Sequence, residues 1–126
     1  TKVDEVILVL KAYVTRVGEG FLPGEISHEE AKNRGWDEYG TVTGRQRRAA
    51  PFNFELARRA IILNGATQIA LTKLDILFPE CKGSSDYDTL NGEAMHFVEY
   101  VEKELCLPVT FIGTGPGVWE IIDRRK

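Results

Sequence analysis

The sequence predicts an α/β fold with a mainly parallel sheet and flanking helices. Short runs of branched apolar residues alternate along the chain with segments in which apolar residues recur at helical spacing. Glycine, proline and asparagine separate the two kinds of segment. The resulting order of strand, helix, strand, helix, strand is typical of parallel strands that are joined by right-handed crossovers.

The first half of the chain contains one predicted strand and one short predicted helix. Residues 6–14, "VILVLKAYV", form a continuous apolar run that stops at the glycines of "RVGEGFLPGE" and therefore predicts a buried strand. In "SHEEAKNRG", Ser27 suits a helix N-cap and Gly35 suits a helix end. We therefore expect a short helix between them.

The second half continues the alternation with two helices and two strands. A helix is predicted from Asn53 to Asn64 and Gly65, because asparagine caps helix starts and glycine ends helices. Residues 68–77, "QIALTKLDIL", are predicted as a strand, followed by the turn-rich loop "FPECKGSSDYDT". An amphipathic helix then ends before Pro108, and "PVTFIGTGPG" predicts a strand that runs into a glycine-rich turn. The predicted apolar faces of the two helices comprise Phe54, Leu56, Ala57, Ala60, Ile61 and Leu63, and Ala94, Val98, Val101 and Leu105.

Length and composition predict one α/β domain, or a fragment, over residues 1–126. The chain is 43% hydrophobic and 28% charged, as is usual for globular domains, and its net charge of -3 argues against general binding to nucleic acids or anionic membranes. Cys81 and Cys106 lie far apart without a CxxC motif, which predicts reduced thiols in the cytoplasm, with a structural disulfide as the alternative. No apolar run approaches the ~20 residues that span a bilayer. Because Thr1 is followed almost at once by an apolar run, we expect a piece of a longer polypeptide.

Thr72, Lys73 and Asp75 lie at the end of a predicted strand, where α/β sheets bind their ligands. One carboxylate can accept both N1–H and N2–H2 of guanine, and adenine offers no such pair of donors on that edge. The stem of Lys73 can cover the purine face, and the glycines of "GTGPG" allow backbone groups to approach the base closely. The alternative is a solvated strand end followed by an ordinary turn.

A cluster of cationic side chains follows two threonines in "YGTVTGRQRRAAPFNFE". Arginine forks bind carboxylates and phosphates through two hydrogen bonds, and a loop that contains Gly44 can fold over a small anion. This pattern indicates a site for a dicarboxylate or a nucleotide. Two alternatives stay open, namely a solvated basic turn and a weak RNA-contacting patch.

Together these segments resemble the adenylosuccinate synthetase family. The resemblance runs in order through "KAYVTRVGEGFLPGE", "EYGTVTGRQRR", "LARRAIILNGATQIALTKLD" and "PVTFIGTGP", covers most of the chain, and is similar to the C-terminal part of a short form of the family. It implies that the full enzyme is a GTP-dependent ligase that joins IMP and L-aspartate, through 6-phosphoryl-IMP and with Mg2+, in purine biosynthesis leading to AMP. It further implies a cytoplasmic homodimer that binds neither nucleic acid nor membrane.

The resemblance also implies roles for individual residues. The aspartate loop would be Thr41, Val42, Thr43, Gly44, Arg45, Gln46 and Arg47. Arg45 would also reach IMP, and Val17, with Gly18, would lie beside the IMP ribose. The GTP site would comprise Arg47, Lys73, Leu74, Asp75, Gly113, Thr114 and Gly115.

Several features depart from the family pattern. Val42 stands where a second threonine is usual, Gln46 where arginine is common and Gly113 where serine is common, so that only backbone donors remain at position 113 for guanine O6. No residue matches the family's phosphate loop, catalytic aspartate or catalytic histidine, and neither His28 nor His96 matches the latter. We therefore assign no catalytic residue and no metal ligand, and expect Mg2+ to be bound mainly by residues outside this chain.

Two rival functions stay open. A non-catalytic guanine-nucleotide-binding or regulatory module would also use "TKLD", but it would need a GxxxxGK loop, which the 126 residues lack. A nucleic-acid-binding domain would rely on "GRQRR" and would show a steep dependence on salt, with no preference for guanine mononucleotides.

Overall fold

A four-stranded sheet and a smaller two-stranded sheet form the framework of the chain. The computed structural model describes residues 5–117 and 120–125. The strands of the larger sheet are β1 (Ile7–Lys11), β4 (Gln68–Thr72), β5 (Val109–Gly113) and β6 (Ile121–Asp123). They lie in the order β1-β4-β5-β6, in which the first three strands are parallel and β6 pairs antiparallel to β5. The predicted α/β class with a mainly parallel sheet is confirmed.

The prediction of one strand over residues 6–14 was wrong. The N–H of Ala12 donates to the carbonyl of Thr72 at 2.9 Å, which extends the pairing of β1 with β4 by one residue. The chain then leaves that sheet, and β2 (Tyr13–Arg16) pairs antiparallel with β3 (Arg48–Pro51). One apolar run therefore supplies strands to two sheets.

Two helices begin and end at the residues that the capping pattern predicts, and a third begins at an asparagine cap of the same kind. The side chains of Ser27, Asn53 and Asn91 accept backbone hydrogen bonds at the starts of α1 (His28–Arg34), α2 (Phe54–Asn64) and α4 (Gly92–Leu105). Left-handed glycines, Gly35 and Gly65, end α1 and α2. The predicted boundaries of α1 and α2 are thus confirmed.

The main core lies between the four-stranded sheet and the helices α2 and α4. The predicted face of α4, formed by Ala94, Val98, Val101 and Leu105, is buried against Ile69, Leu71, Val109 and Ile112. The predicted face of α2 is only partly buried. Ala57 is in the core, but Leu56 and Leu63 are exposed.

A second apolar cluster lies under α1 and next to the smaller sheet. Its buried members are Tyr13, Ala31, Trp36 and Ala49, and the rings of Tyr13 and Trp36 stack with centroids 5.3 Å apart. Ile76 packs against this cluster. It therefore joins the smaller sheet to the chain segment that follows β4.

The predicted strand at residues 68–77 ends early. β4 stops at Thr72, and the next residues form the short helix α3 (Leu74–Leu77) after a left-handed turn at Lys73. The loop that was predicted at residues 78–89 contains two 3-10 turns, Pro79–Cys81 and Tyr87–Thr89. Both cysteines are unpaired, Cys81 buried and Cys106 exposed.

β1 lies at one edge of the larger sheet. Its only strand partner among the described residues is β4. Ile7 and Val9 are 45% and 64% exposed, so that this edge presents branched apolar side chains. Among the described residues, no helix has the length and apolar character that crossing a membrane requires.

Candidate functional site

A cavity of 470 Å³ lies at the carboxyl ends of β4 and β5. We call it the strand-end cavity. Its lining includes Lys73, Asp75, Gly113 and Gly115, four of the residues proposed for the guanine nucleotide, together with Thr72. Residues from two parallel strands meet here because such strands place their carboxyl ends at the same edge of a sheet. The structure therefore brings the "LTKLD" and "GTGPG" segments to one place.

Asp75 is a buried carboxylate on the wall of the strand-end cavity. Its relative exposure is 9%, and no group in the described part of the chain donates a hydrogen bond to its side chain. A carboxylate with little access to water needs hydrogen-bond donors. A ligand with two adjacent N–H groups would supply them.

Lys73 has a backbone conformation that residues other than glycine rarely adopt. Its φ of 67° and ψ of 25° place it in the left-handed region, between β4 and α3. The turn changes the direction of the chain immediately after Thr72, and the residues on either side of Leu74 line the cavity. This turn replaces the straight strand that the sequence predicted.

Leu74 and Thr114 support the segments around the strand-end cavity but do not line it. Leu74 is fully buried in the main core, and the Thr114 hydroxyl donates to the carbonyl of Ser84 at 2.6 Å. Neither residue is among those that line the strand-end cavity. Their side chains hold the two segments in place, so any contact of these residues with a ligand would come from the backbone.

The glycine-rich turn after β5 closes around Glu120. The Gly117 N–H donates to Glu120 Oε1 at 2.9 Å, and the Thr114 N–H donates to the Glu120 carbonyl at 2.9 Å. A Cβ at Gly115 would overlap the Glu120 carboxylate, so only glycine fits there without a shift. At Gly113 a Cβ would lie 3.4 Å from the Cα of Thr72, so there is room for the serine that is common in the family.

Glu120 and Lys82 also line the strand-end cavity, and sequence reasoning did not identify them. Glu120 lies three residues after Gly117, the last glycine of the turn, and a carboxylate this close to a glycine-rich turn is a signal that could have indicated an acceptor for its backbone N–H groups. Lys82 lies in the loop after α3, where no motif marks it.

The predicted anion-binding loop, residues 41–47, forms the tip and one side of a tight hairpin. We call it the arginine loop. Tyr39 and Gln46 form an antiparallel bridge, the Gly40 N–H donates to the Arg45 carbonyl at 2.9 Å, and the Gly44 N–H donates to the Gly40 carbonyl at 2.9 Å. Gly44 has a φ of 69°, a conformation that glycine adopts at little cost.

Most long side chains of "GRQRR" are engaged within the chain. The Gln46 amide donates to the His28 carbonyl at 2.8 Å, and an Arg47 Nη1 lies 3.8 Å from Glu38. Arg48 forms a two-pronged ion pair with Glu25 and donates to the carbonyls of Gly18 and Gly20. In the described structure the Arg45 guanidinium makes no such contact. The segment is thus not a uniformly solvated basic patch, which argues against an RNA-contacting surface.

A second cavity, of 290 Å³, lies beside the arginine loop. Its lining includes Val17, Thr43, Arg45 and Gln46, so the two residues proposed for IMP, Val17 and Arg45, lie on one cavity. Thr41, Val42, Gly44 and Arg47 are not among its lining residues, and Val42 is 95% exposed at the tip of the loop. His28 also lines this cavity, a position that its charged sequence context did not reveal.

Glu38 is the centre of a polar cluster at the base of the arginine loop. Its carboxylate accepts hydrogen bonds from Tyr13 at 2.6 Å, from Lys11 at 3.2 Å and from Thr15 at 3.2 Å. Burial opposes ionisation, but these hydrogen bonds and the charge of Lys11 outweigh it and hold the pKa of Glu38 below its ordinary value. Burial and the bond to Glu38 raise the pKa of Tyr13 well above its usual range, so Tyr13 remains a donor.

The described residues do not form a metal centre. In residues 5–117 and 120–125, no three His, Cys, Asp or Glu side chains lie together as metal ligands would. No chemical step through a metal is assigned to this part of the chain.

Comparisons with a family profile and with known sequences all find the same family of proteins. The sequence profile described as adenylosuccinate synthetase matches residues 1–82. The adenylosuccinate synthetases of Methanosphaera stadtmanae and Methanocaldococcus jannaschii are 51% and 54% identical to this chain over 126 residues, the whole of it. Those residues are 37% and 36% of the two relatives, so the chain spans about a third of their length.

Solved structures show the same fold. Fully ligated adenylosuccinate synthetase from Plasmodium falciparum matches 93% of this chain with a TM-score of 0.80 at 24% identity, over 39% of its own length. The succinoaminodeoxyadenylate synthetase of cyanophage S-2L, bound to dGMP and to dATP as an energy donor, matches 97% of the chain with a TM-score of 0.69 at 22% identity. With the sequence profile matching well over half of its residues, the chain belongs to the adenylosuccinate synthetase family.

Proposed function

We propose that this chain forms the guanine-binding and aspartate-binding part of an adenylosuccinate synthetase, which joins IMP and L-aspartate at the expense of GTP. One observation carries the proposal. Lys73, Asp75, Gly113 and Gly115 lie around a single cavity at the carboxyl ends of two parallel strands, where a ligand of an α/β sheet is expected. The sequence similarity to the archaeal synthetases supports this reading.

The strand-end cavity would select guanine through Asp75. Its carboxylate would accept N1–H and N2–H2 of the base, replacing the donors that it lacks within the described chain. The methylene stem of Lys73 would cover one face of the purine, and the backbone of residues 113–115 would approach the opposite edge. Adenine has no pair of adjacent donors on the corresponding edge, so it would leave the carboxylate unsatisfied.

The arginine loop would bind the anionic groups of aspartate and IMP. Arg45 is suited to this because its guanidinium is not engaged within the described structure and lies on a cavity with Thr43 and Val17. A planar guanidinium can hold a carboxylate or a phosphate through two hydrogen bonds. These residues would bind and orient substrates, and none of them is assigned a proton-transfer role.

Arg47 has a different setting within the proposed site. Its guanidinium lies near Glu38, and its Nε is buried without a hydrogen-bond partner in the described structure. A buried donor of this kind is costly unless something binds it. A contact of Arg47 with GTP, as the family resemblance implies, would use the N–H groups of its guanidinium that Glu38 does not engage.

The remaining functions of the synthetase would lie outside this chain. We propose that these residues form the C-terminal portion of the enzyme, and that the phosphate loop, the catalytic aspartate and histidine, and most Mg2+ ligands belong to the rest. The chain alone would then form no adenylosuccinate, because nothing in it would position the γ-phosphoryl group of GTP against IMP. The complete enzyme would act as a cytoplasmic homodimer in AMP biosynthesis.

Replacing Asp75 by asparagine in the full-length protein tests the proposal. The amide loses one acceptor and gains a donor, so it suits the carbonyl at C2 of xanthine better than the amine of guanine. Each mismatched buried group costs about 1–3 kcal/mol, so the preference for GTP over xanthosine triphosphate should fall by about two powers of ten. Competition among GTP, ATP and xanthosine triphosphate in the synthetase reaction measures this ratio.

The matched control is Asp88→Asn, an exposed aspartate outside the strand-end cavity, which should leave the ratio unchanged. If Asp75→Asn weakens all three nucleotides equally, Asp75 supports the fold without reading the base. If it changes none of them, the strand-end cavity holds no nucleotide and the proposed function is wrong.

A further inference from the structure

The structure assigns Glu38 a role as the positioning residue of the arginine loop. We infer that its carboxylate fixes the base of this loop to the two sheets and so sets where the Arg45 guanidinium meets an anionic substrate. The inference rests on the proposed function, because it names the residue that orients the aspartate-binding loop. Glu38 does not line the cavity beside the loop, so its effect would act through the loop.

The backbone of Glu38 is part of the hairpin that carries the loop. The Arg47 N–H donates to the Glu38 carbonyl at 2.7 Å, directly below the bridge between Tyr39 and Gln46. Two further backbone hydrogen bonds tie Gly40 to the other side of the hairpin. The loop therefore moves with residue 38 as one unit.

The side chain of Glu38 connects this unit to the strands. Lys11, the last residue of β1, and Tyr13 and Thr15 on β2 all donate hydrogen bonds to the carboxylate. Lys11 also donates to the Thr15 hydroxyl. Glu38 thus accepts from residues of both sheets, at the point where the chain passes from one sheet to the other.

The anchor itself is rigid, whereas the tip of the loop is not packed. Tyr13 is 3% exposed and stacked on Trp36, so its hydroxyl has a fixed position. Val42, at the tip, is 95% exposed, and the Arg45 guanidinium has no hydrogen-bond or ion-pair partner among the described residues. Hydrogen bonds at the base, together with the bond from the Gln46 amide to the His28 carbonyl, therefore restrain where the tip and Arg45 lie.

The geometry requires a carboxylate of this length. The hydrogen-bonding groups that face it are all donors, namely an ammonium and two hydroxyls, and the Arg47 guanidinium lies nearby. A glutamine would turn an NH2 group towards some of these donors and would leave the charge of Lys11 without a counter-ion. An aspartate would be one methylene shorter and could not reach all of them from the same backbone position.

Glu38→Gln in the full-length synthetase tests the inference. We expect the KM for aspartate to rise by about tenfold or more, because the loop loses its fixed orientation. The KM for GTP should rise by clearly less, because Arg47 lies near Glu38 but the other residues proposed for GTP lie at the strand-end cavity. A purely structural loss would reduce the amount of active protein and so lower the apparent kcat without separating the two KM values. Thermal unfolding of each variant records the amount of folded protein.

Two further variants make the result specific. Tyr13→Phe removes one donor and keeps the stacked ring, and it should raise the KM for aspartate by about threefold. Glu30→Gln neutralises an exposed carboxylate that pairs with Arg34 on α1, and it should change neither KM. If Glu38→Gln fails to fold, Tyr13→Phe decides the question alone.

Three outcomes overturn the inference. An unchanged KM for aspartate in Tyr13→Phe and Glu38→Gln shows that the loop does not depend on this anchor. An equal rise in the KM values of aspartate and GTP shows a general structural effect. If the unchanged full-length protein forms no adenylosuccinate, the proposed function fails first, and the inference fails with it.

Discussion

Lys73 holds a left-handed backbone conformation that costs a lysine about 1 kcal/mol relative to glycine. Cys106, which ends α4, is the other non-glycine residue with a positive φ in the described structure. At both positions glycine would suit the backbone better. At Lys73, however, the side chain belongs to the proposed nucleotide site, so backbone preference and ligand binding favour different residues.

Lys73→Gly and Lys73→Ala separate these two effects. Both should weaken GTP binding by about tenfold, because the stem that covers the purine face is lost. Lys73→Gly should be more stable than Lys73→Ala by about 1 kcal/mol, because alanine keeps the backbone cost. Isothermal titration of the full-length protein and urea unfolding measure the two quantities.

Cys106→Gly is the control for this pair of variants. It should gain about 1 kcal/mol in free energy of unfolding as a glycine helix end, with unchanged affinity for GTP. Wild-type affinity in Lys73→Gly would remove Lys73 from the nucleotide site.

Residues in the candidate site differ in how far the sequence could predict them. Lys73, Asp75, Gly113 and Gly115 lie at strand ends, and their chemistry and the family resemblance both indicated a nucleotide site. Glu38 escaped notice because its partners Lys11 and Tyr13 lie 27 and 25 positions away in the chain. Hydrogen bonds of this kind become visible only when the fold has brought the segments together.

At the scale of elements, the arginine loop is the segment on which aspartate binding should depend. Arg45→Ala should cost about 2–4 kcal/mol in kcat/KM for aspartate, since a charge-assisted pair is lost in a shielded site. Arg45→Lys should rescue little of this loss, because an ammonium cannot form the paired contact of a guanidinium. Steady-state kinetics of the full-length enzyme with IMP, aspartate and GTP provide the measurement.

Arg58→Ala serves as the control for the arginine loop. Arg58 forms an exposed ion pair with Glu104 away from both cavities, and its removal should leave the kinetics unchanged. Equal kinetics in Arg45→Ala and wild type would exclude the arginine loop from the site.

The helices were predicted more accurately than the strands, because the signals that start and end a helix lie close together in the sequence. Caps such as Ser27 and Asn53 and ends such as Gly35 act within one turn of helix, so the sequence contains the whole signal. The break after Ala12 has no such signal. It depends on a hydrogen bond to Thr72 and on the pairing of Tyr13 with Pro51, both set by distant parts of the chain.

The two strands that escaped prediction are short and have weak local signals. β3 reads "RAAP", and alanine has little preference for strands. β6 has only 3 residues and follows the glycine-rich turn, so no alternating pattern can develop. Both strands are specified by their partners β2 and β5 rather than by their own sequence.

At the scale of the whole molecule, the order of elements determined the fold class and the place of the strand-end cavity. Parallel strands must run in the same direction, so the ends of β4 and β5 meet wherever their crossover helix packs. The sequence could therefore predict that residues after these strands would share a site. It could not predict the second sheet, which brings the arginine loop and Val17 together.

The exposed edge of the larger sheet affects the behaviour of the chain in concentrated solution. The outer side of β1 has no strand partner among the described residues, and Val9 and Ile7 are exposed there. A sheet edge of this kind offers backbone donors and acceptors to any other extended chain and so promotes aggregation.

We expect the 126-residue chain to self-associate as its concentration rises, and Val9→Lys to shift it towards the monomer in sedimentation experiments. Ile62→Lys, which places the same charge at an exposed position on α2, should have little effect. If both substitutions act equally, surface hydrophobicity in general drives the association, and the open strand edge is not its cause.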